Sequence, residues 1–180
     1  MDKEWIVEGN AWVVGDNVNT ESIEPSHWQQ EGRAALMEHI AELLIPEFPK
    51  KMKKGDIWVS GANLGCSSSR NAAGSLREKG IGAVICKSAS RIFYRNALNS
   101  GLPIFTIGDD AYKIKKGDRV RVNIRTGEIQ DLTTGGKFQG QKFPDFIMEI
   151  IEAGGIKEKI LKRKSEYPLI KQAQGDVVND

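Results

Sequence analysis

At 180 residues with a net charge of +2, the chain can bury one core but lacks the strongly basic balance that nucleic-acid binding calls for. A hydrophobic content of 39% and a charged content of 28% describe an ordinary soluble globular protein, and one domain is expected. Met1–Trp5 has no apolar core of signal-peptide length and no run could span a bilayer. The two cysteines, Cys66 and Cys86, form no CxxC pair and read as reduced thiols, so a cytoplasmic protein with no membrane attachment is expected.

Taken in order, Trp5–Val7 and Ala11–Val14 read as two strands split by Gly9-Asn10, with a turn at Gly15–Asn17. Val18–Trp28 is polar and without periodicity, which predicts an ordered loop. A helix is predicted over Arg33–Leu44 with Leu36, Ile40, Leu43 and Leu44 on one face, ended by Pro46 and Pro49. Lys50, Lys51, Lys53 and Lys54 read as a solvated approach to the next strand rather than a binding patch.

The middle of the chain carries the strongest signal. Asp56–Ser60 is a short apolar strand that breaks at Gly61 and Gly65 into Ser67, Ser68, Ser69 and Arg70. A helix follows from about Arg70 to Lys79, stopped by Gly80. Ala83–Cys86 reads as a buried parallel strand, Ser90 as the cap of a helix carrying Ile92, Phe93, Ala97 and Leu98, and Leu102–Phe105 as a third strand. This is a right-handed parallel βαβαβ unit. Its serine loop lies at the carboxyl end of the first strand, where open α/β sheets bind ligands. Free N–H groups, a positive helix end, hydroxyls and a guanidinium there suit a carboxylate or a phosphate. Arg70 is expected to stand exposed at the loop–helix junction. No G-K-[ST] follows the glycines, so a P-loop is excluded. On residue type alone, Ser67–Ser69 read as helix caps ahead of catalytic groups.

Beyond the centre, Arg119–Arg125 alternates as a half-buried strand, Thr126-Gly127 turns, and Glu128–Leu132 returns as a hairpin. Another short strand lies between Lys137-Phe138 and Lys142-Phe143. Pro144 opens a helix striped with Phe146, Ile147, Ile150 and Ile151, which Gly154-Gly155 stops. Ile156–Arg163 is a short basic helix, and the residues past about Gln172 read as a frayed tail. No internal repeat is visible.

The succession GDNVNT (Gly15–Thr20), Pro25, KKGDIWVSGANLGCSSSR, SASRIFYRNALNSGLPI, LTTGGKF and IIEAGG resembles the aconitase-superfamily swivel domain. In particular it resembles the small subunits of 3-isopropylmalate dehydratases, from about Trp5 to Gly155. The resemblance implies an α/β swivelling domain with the parallel βαβαβ unit and added β-hairpins, over residues 1–165, followed by a flexible tail, 166–180. It implies a hydro-lyase acting on a 2-hydroxy di- or tricarboxylate, 2-isopropylmalate first and homoaconitase- or dimethylmalate-type substrates second. It implies further a large partner subunit holding a 4Fe–4S cluster, no cofactor or metal on this chain, and inactivity of the chain alone. The isolated chain could form homo-oligomers. Two cysteines cannot supply the three or four thiolates of a cluster, in keeping with that division.

By the same resemblance Ser68 is the catalytic base, acting as an alkoxide, while Ser69, Arg70, Thr20 and Glu21 bind substrate, Arg70 by pairing with a carboxylate. The chain departs from the family's usual pattern at Ser67 (glycine), at Asn71-Ala72 (a Glu-His or Glu-Gln pair) and at Glu21 (aspartate), where the carboxylate moves by one methylene. His27 reads as incidental, and Cys66 as a small packing residue beside the loop. A role in RNA binding is disfavoured by the balanced charge.

Overall fold

The computed structural model describes residues 5–67 and 70–163. Ser68, Ser69 and the tail expected at 166–180 lie outside them. The elements are β1 (Ile6–Val13), α1 (Thr20–Ile23), α2 (Ser26–Gln30), α3 (Arg33–His39), α4 (Phe48–Lys51), β2 (Ile57–Ser60), α5 (Ala72–Lys79), β3 (Ala83–Cys86) and α6 (Arg91–Asn99). They continue with β4 (Ile104–Thr106), a 3₁₀ turn (Gly108–Lys113), β5 (Arg119–Asn123), β6 (Glu128–Asp131), β7 (Lys137–Gln139), α7 (Asp145–Ala153) and α8 (Ile156–Lys162).

One sheet runs in the order β4-β3-β2-β1-β5-β6-β7. The strands β1 to β4 pair in parallel and β5 to β7 continue as antiparallel hairpins, so the α/β class and the βαβαβ unit with added hairpins are as the sequence predicted. The strands β2 and β3 are buried at every residue, as strands covered on both faces must be. The strand β5 keeps one wet face, with Val120 and Val122 inward. Trp12, Phe48 and Trp58 meet edge to face, at centroid separations of 5.2 and 5.4 Å, and anchor the core beneath α4.

Four local expectations need correction. The two N-terminal strands are one: β1 runs through Gly9-Asn10, pairing with β5 over Ile6–Asn10 and with β2 over Ala11–Val13. Gly9 is there for close approach and not for a break, because a Cβ would sit 2.4 Å from the Gly55 carbonyl oxygen. The predicted loop at 18–28 contains α1 and α2, helices of four and five residues, too short to show periodicity. The predicted helix 33–44 stops at His39, and Ala41 adopts φ +58°, donating its N–H to the Ile23 carbonyl at 2.9 Å. Leu36 and Ile40 are buried as predicted, but past that bend Leu43 points to solvent. The helix expected from Arg70 begins two residues later, at Ala72.

Asp56 fixes the changeover in β1. Its buried carboxylate accepts the Asn10 N–H at 3.0 Å, the Trp12 indole N–H at 2.8 Å and the Lys53 N–H at 2.9 Å. Removing it would leave three donors without their acceptor, the buried Trp12 indole N–H among them. Asp56→Ala should therefore cost about 3 kcal/mol and lower Tm by roughly 6–12 °C. Asp110→Ala, which breaks only an exposed pair with Lys113, should shift stability by no more than about 0.5 kcal/mol in the same unfolding assay.

Candidate active site at the carboxyl edge of the parallel strands

The turns that follow β1, β2 and β3 are laced together. The Asn17 N–H donates to the Ala62 carbonyl at 2.8 Å, the Gly65 N–H to Val18 at 2.7 Å and the Leu64 N–H to Ser88 at 3.0 Å. Ser90, the N-cap of α6, also donates its hydroxyl to the Gly65 carbonyl at 2.7 Å. Gly65 has φ +74°, and a Cβ on it would lie 2.3–2.4 Å from Cβ, Cγ and Cδ2 of Phe93, so α6 packs directly against the loop. Ser67 is held at φ +69°, in the region that favours glycine. Its hydroxyl donates to the Cys66 carbonyl at 2.8 Å.

Of the candidate site residues, Arg70 is the one the structure places most fully. It is half-buried, with 28% of its side chain accessible, where full exposure at the junction was expected. Nη1 pairs with Glu21 Oε2 and donates to the Glu24 carbonyl at 3.0 Å, while Nη2 donates to Ser26 Oγ at 2.7 Å. Two sequence-predicted residues, Arg70 and Glu21, are thus brought into direct contact. Thr20, next to Glu21 in α1, is buried, and its hydroxyl has no hydrogen-bond partner among the described residues.

The sequence reading missed three residues. Ser26 and Glu24 come from the supposed loop, and Glu24 is buried, accepting from Ser75 Oγ and lying 3.5 Å from Arg33. Asn71 is the N-cap of α5, accepting the Gly74 N–H at 3.2 Å. That role leaves the serines unneeded as the side-chain cap, and asparagine before Ala72-Ala73 was a readable cap signal. No comparable signal marks Ser26 or Glu24.

Across the edge, Asp16 accepts the Tyr112 hydroxyl and the Ala62 N–H, both at 2.7 Å. The tyrosine hydrogen bond, reinforced by the backbone one, holds the Asp16 carboxyl below its ordinary range, and the same bond pushes Tyr112 up. Lys87 pairs with Asp109 at 2.6 Å, which raises its pKa. Beside the start of α5 lies a polar groove of about 620 Å³ whose walls include Arg33, Asn71, Arg77 and Lys157. Among the described residues no helix is long and apolar enough to cross a membrane. No group of three or more metal-ligating side chains occurs among them either, and the two cysteines do not form a thiolate set. Cys86 is buried, its thiol pushed up to about 12, whereas Cys66 is partly exposed with Sγ 3.4 Å from the Asn17 carbonyl. The residues present do not fit an iron–sulfur cluster.

Residues 16–107, from Asp16 past the last parallel strand, match the family model of the aconitase C-terminal domain. The chain is 44% identical over 166 residues to the isopropylmalate/citramalate isomerase small subunit of Methanocaldococcus jannaschii, spanning 89% of this chain and 97% of that one. The chain belongs to the aconitase C-terminal domain family. A crystal structure of 3-isopropylmalate dehydratase from the same archaeon superposes with a TM-score of 0.80 at 36% identity, covering 94% of this chain and 99% of that one. The methanogen homoaconitase small subunit of Methanothermobacter thermautotrophicus is 40% identical, covering 88% of this chain and 93% of that protein. Within the family this is a small-subunit member of the 3-isopropylmalate dehydratase type.

The two thiols should separate cleanly. A thiol reagent near neutral pH should modify Cys66 in the folded protein and leave Cys86 untouched until denaturant is added. Equal labelling of both in the native protein would contradict the enclosure of β3.

Proposed function

We propose that this chain is the substrate-closing small subunit of a two-subunit hydro-lyase that isomerises 2-isopropylmalate and 3-isopropylmalate. The observation that carries the reading is Arg70, a guanidinium at the head of α5 that already receives a carboxylate, immediately after the serine pair. A planar fork is the side chain suited to bind a hydroxy-acid substrate by its carboxylate. The large subunit supplies the 4Fe–4S cluster, since the described residues of this chain offer no ligand set.

In this reading Ser68 takes the proton from the carbon next to a substrate carboxylate. An ordinary serine hydroxyl is far too weak a base, so its anion must be stabilised by loop N–H groups, the amino end of α5 and the neighbouring guanidinium. Ser69 hydrogen-bonds the substrate. Thr20 backs the early segment from the core side, and Glu21 holds it against Arg70. A homoaconitase-type substrate is the second reading, favoured by the name of one similar relative.

The assembly is tested by supplying iron and sulfide to this chain alone and assaying 2-isopropylmalate, then repeating with a cluster-bearing large subunit. Turnover should appear only with the partner; robust turnover without it would sink the reading. A panel of 2-hydroxy di- and tricarboxylates in the paired assay identifies the substrate.

In the assembled enzyme Ser68→Ala should reduce kcat by about 10²–10⁴. Arg70→Lys should cost about 2–4 kcal/mol of transition-state stabilisation. Asn71→Ala, which removes the cap, should instead cost about 1 kcal/mol of stability. Near wild-type kcat in Ser68→Ala would remove Ser68 as the base.

A further inference from the structure

Glu21 fills the place at Arg70 that a substrate carboxylate would take. Its Oε1 accepts the Ser26 backbone N–H at 2.7 Å. Its Oε2 accepts the Ser26 hydroxyl at 2.9 Å and Arg70 Nη1. Because Arg70 Nη2 donates to the same Ser26 oxygen at 2.7 Å, the single hydroxyl proton is directed onto Glu21. A guanidinium, a backbone N–H and a hydroxyl converging on one carboxylate make a carboxylate receptor, here with its ligand tethered to the same chain.

The receptor has supports of its own. Arg70 is anchored on the Glu24 carbonyl at 3.0 Å, and the Glu24 side chain is buried against Ser75 and Arg33. Ser26 follows the buried Pro25. Glu21, by contrast, has 46% of its side chain accessible, so its carboxylate can swing into water without opening the core. The exchange of one carboxylate for another leaves the charge at Arg70 unchanged.

We propose that Ser26, through its backbone N–H and hydroxyl, forms with Arg70 the receptor for a substrate carboxylate, and that Glu21 occupies it as a surrogate that substrate displaces. This rests on the reading that Arg70 receives a substrate carboxylate, and it turns Glu21 from a substrate contact into an internal competitor. The apparent affinity for substrate is then reduced by the fraction of time the receptor is occupied.

Acetate is the probe for the receptor itself. In the full chain without its partner, Glu21→Ala should melt below wild type, and added acetate should raise its Tm by about 2–4 °C relative to chloride at equal ionic strength. Wild type should not respond, and adding Ser26→Ala to Glu21→Ala should abolish the response. A Glu21→Ala chain that melts cooperatively and ignores acetate overturns the inference. In the assembled enzyme Glu21→Gln, which keeps the shape and loses the charge, should lower KM by about three- to tenfold with little change in kcat. A raised KM makes Glu21 a substrate contact and overturns the exchange, even if the alanine variant does not fold. Arg70→Lys separates the underlying reading. An unchanged KM in that variant, beside a positive acetate response, upholds the receptor but overturns its assignment to substrate.

Discussion

The sheet depends on β1 changing partners along its length. Over its first five residues it pairs antiparallel with β5, and over its last three it pairs in parallel with β2. Such a changeover leaves an amide without a strand partner, and a buried amide needs an acceptor. Asp56 provides one from the residue before β2, taking both the Asn10 N–H and the Trp12 indole. The missing side chain of Gly9 lets the Gly55-Asp56 backbone come close enough to do so. The carboxylate thereby sets the register of β1 against β2. Register in turn decides which residues face each other at the carboxyl edge. There the turn after β1 meets the turn after β2, through Asn17 N–H to Ala62 and Gly65 N–H to Val18. The meeting of Glu21 with Arg70, 49 residues away in sequence, follows from that alignment.

Two kinds of attachment hold the edge, and they differ in how readily they can be exchanged. The turn that leads to the serines rests on apolar packing: Leu64 is fully buried and Phe93 lies hard against Gly65. The segment bearing α1 and α2 is pinned to the core by Ile23, and the part of it that faces Arg70 is held by polar contacts. Of the described residues, α2 buries none, and its neighbourhood is tied to α5 through Arg70, Glu24–Ser75 and the Arg33–Glu78 pair at 2.5 Å. Apolar packing cannot be traded for water without a large loss, whereas a carboxylate can leave one donor set for another at nearly constant free energy. Apolar anchoring therefore lies under Leu64 and Gly65, and polar anchoring surrounds Arg70.

The same distinction explains what could be read from the sequence. The parallel strands and their helices were legible because each is an apolar run bounded by a cap or a glycine, from Ile57–Ser60 through Ser90 to Gly101. The hairpin of β5 and β6 was legible from strict alternation. Gly9-Asn10 misled because a glycine demanded by a neighbouring backbone looks, locally, the same as one that ends a strand. The helices α1 and α2 were invisible for a related reason. Four or five residues span little more than one turn, and what stabilises them is Asn19 capping Ser22, together with contacts to residues more than 40 positions away. At the site, Arg70 was identifiable from its place after the serines, but its occupant was not. Nothing local in Glu21 through Ser26 announces that a backbone N–H, a hydroxyl and a distant guanidinium will converge.

An open edge also has consequences for charge. A partly enclosed guanidinium loses some of its solvation, and a counter-charge offsets that loss. A binding site meant for an anionic substrate faces that cost whenever the substrate is absent. Water can offset it at a fully exposed site, but Arg70 is walled by the Glu24 carbonyl and Ser26. A carboxylate carried on a flexible, half-exposed side chain resolves the conflict: it keeps the arginine paired and its fork in position, and it competes only as strongly as one more carboxylate can. Under the proposed reading, pairing by Glu21 serves folding and substrate binding together, since the geometry that holds Glu21 is the geometry proposed for a second carboxylate.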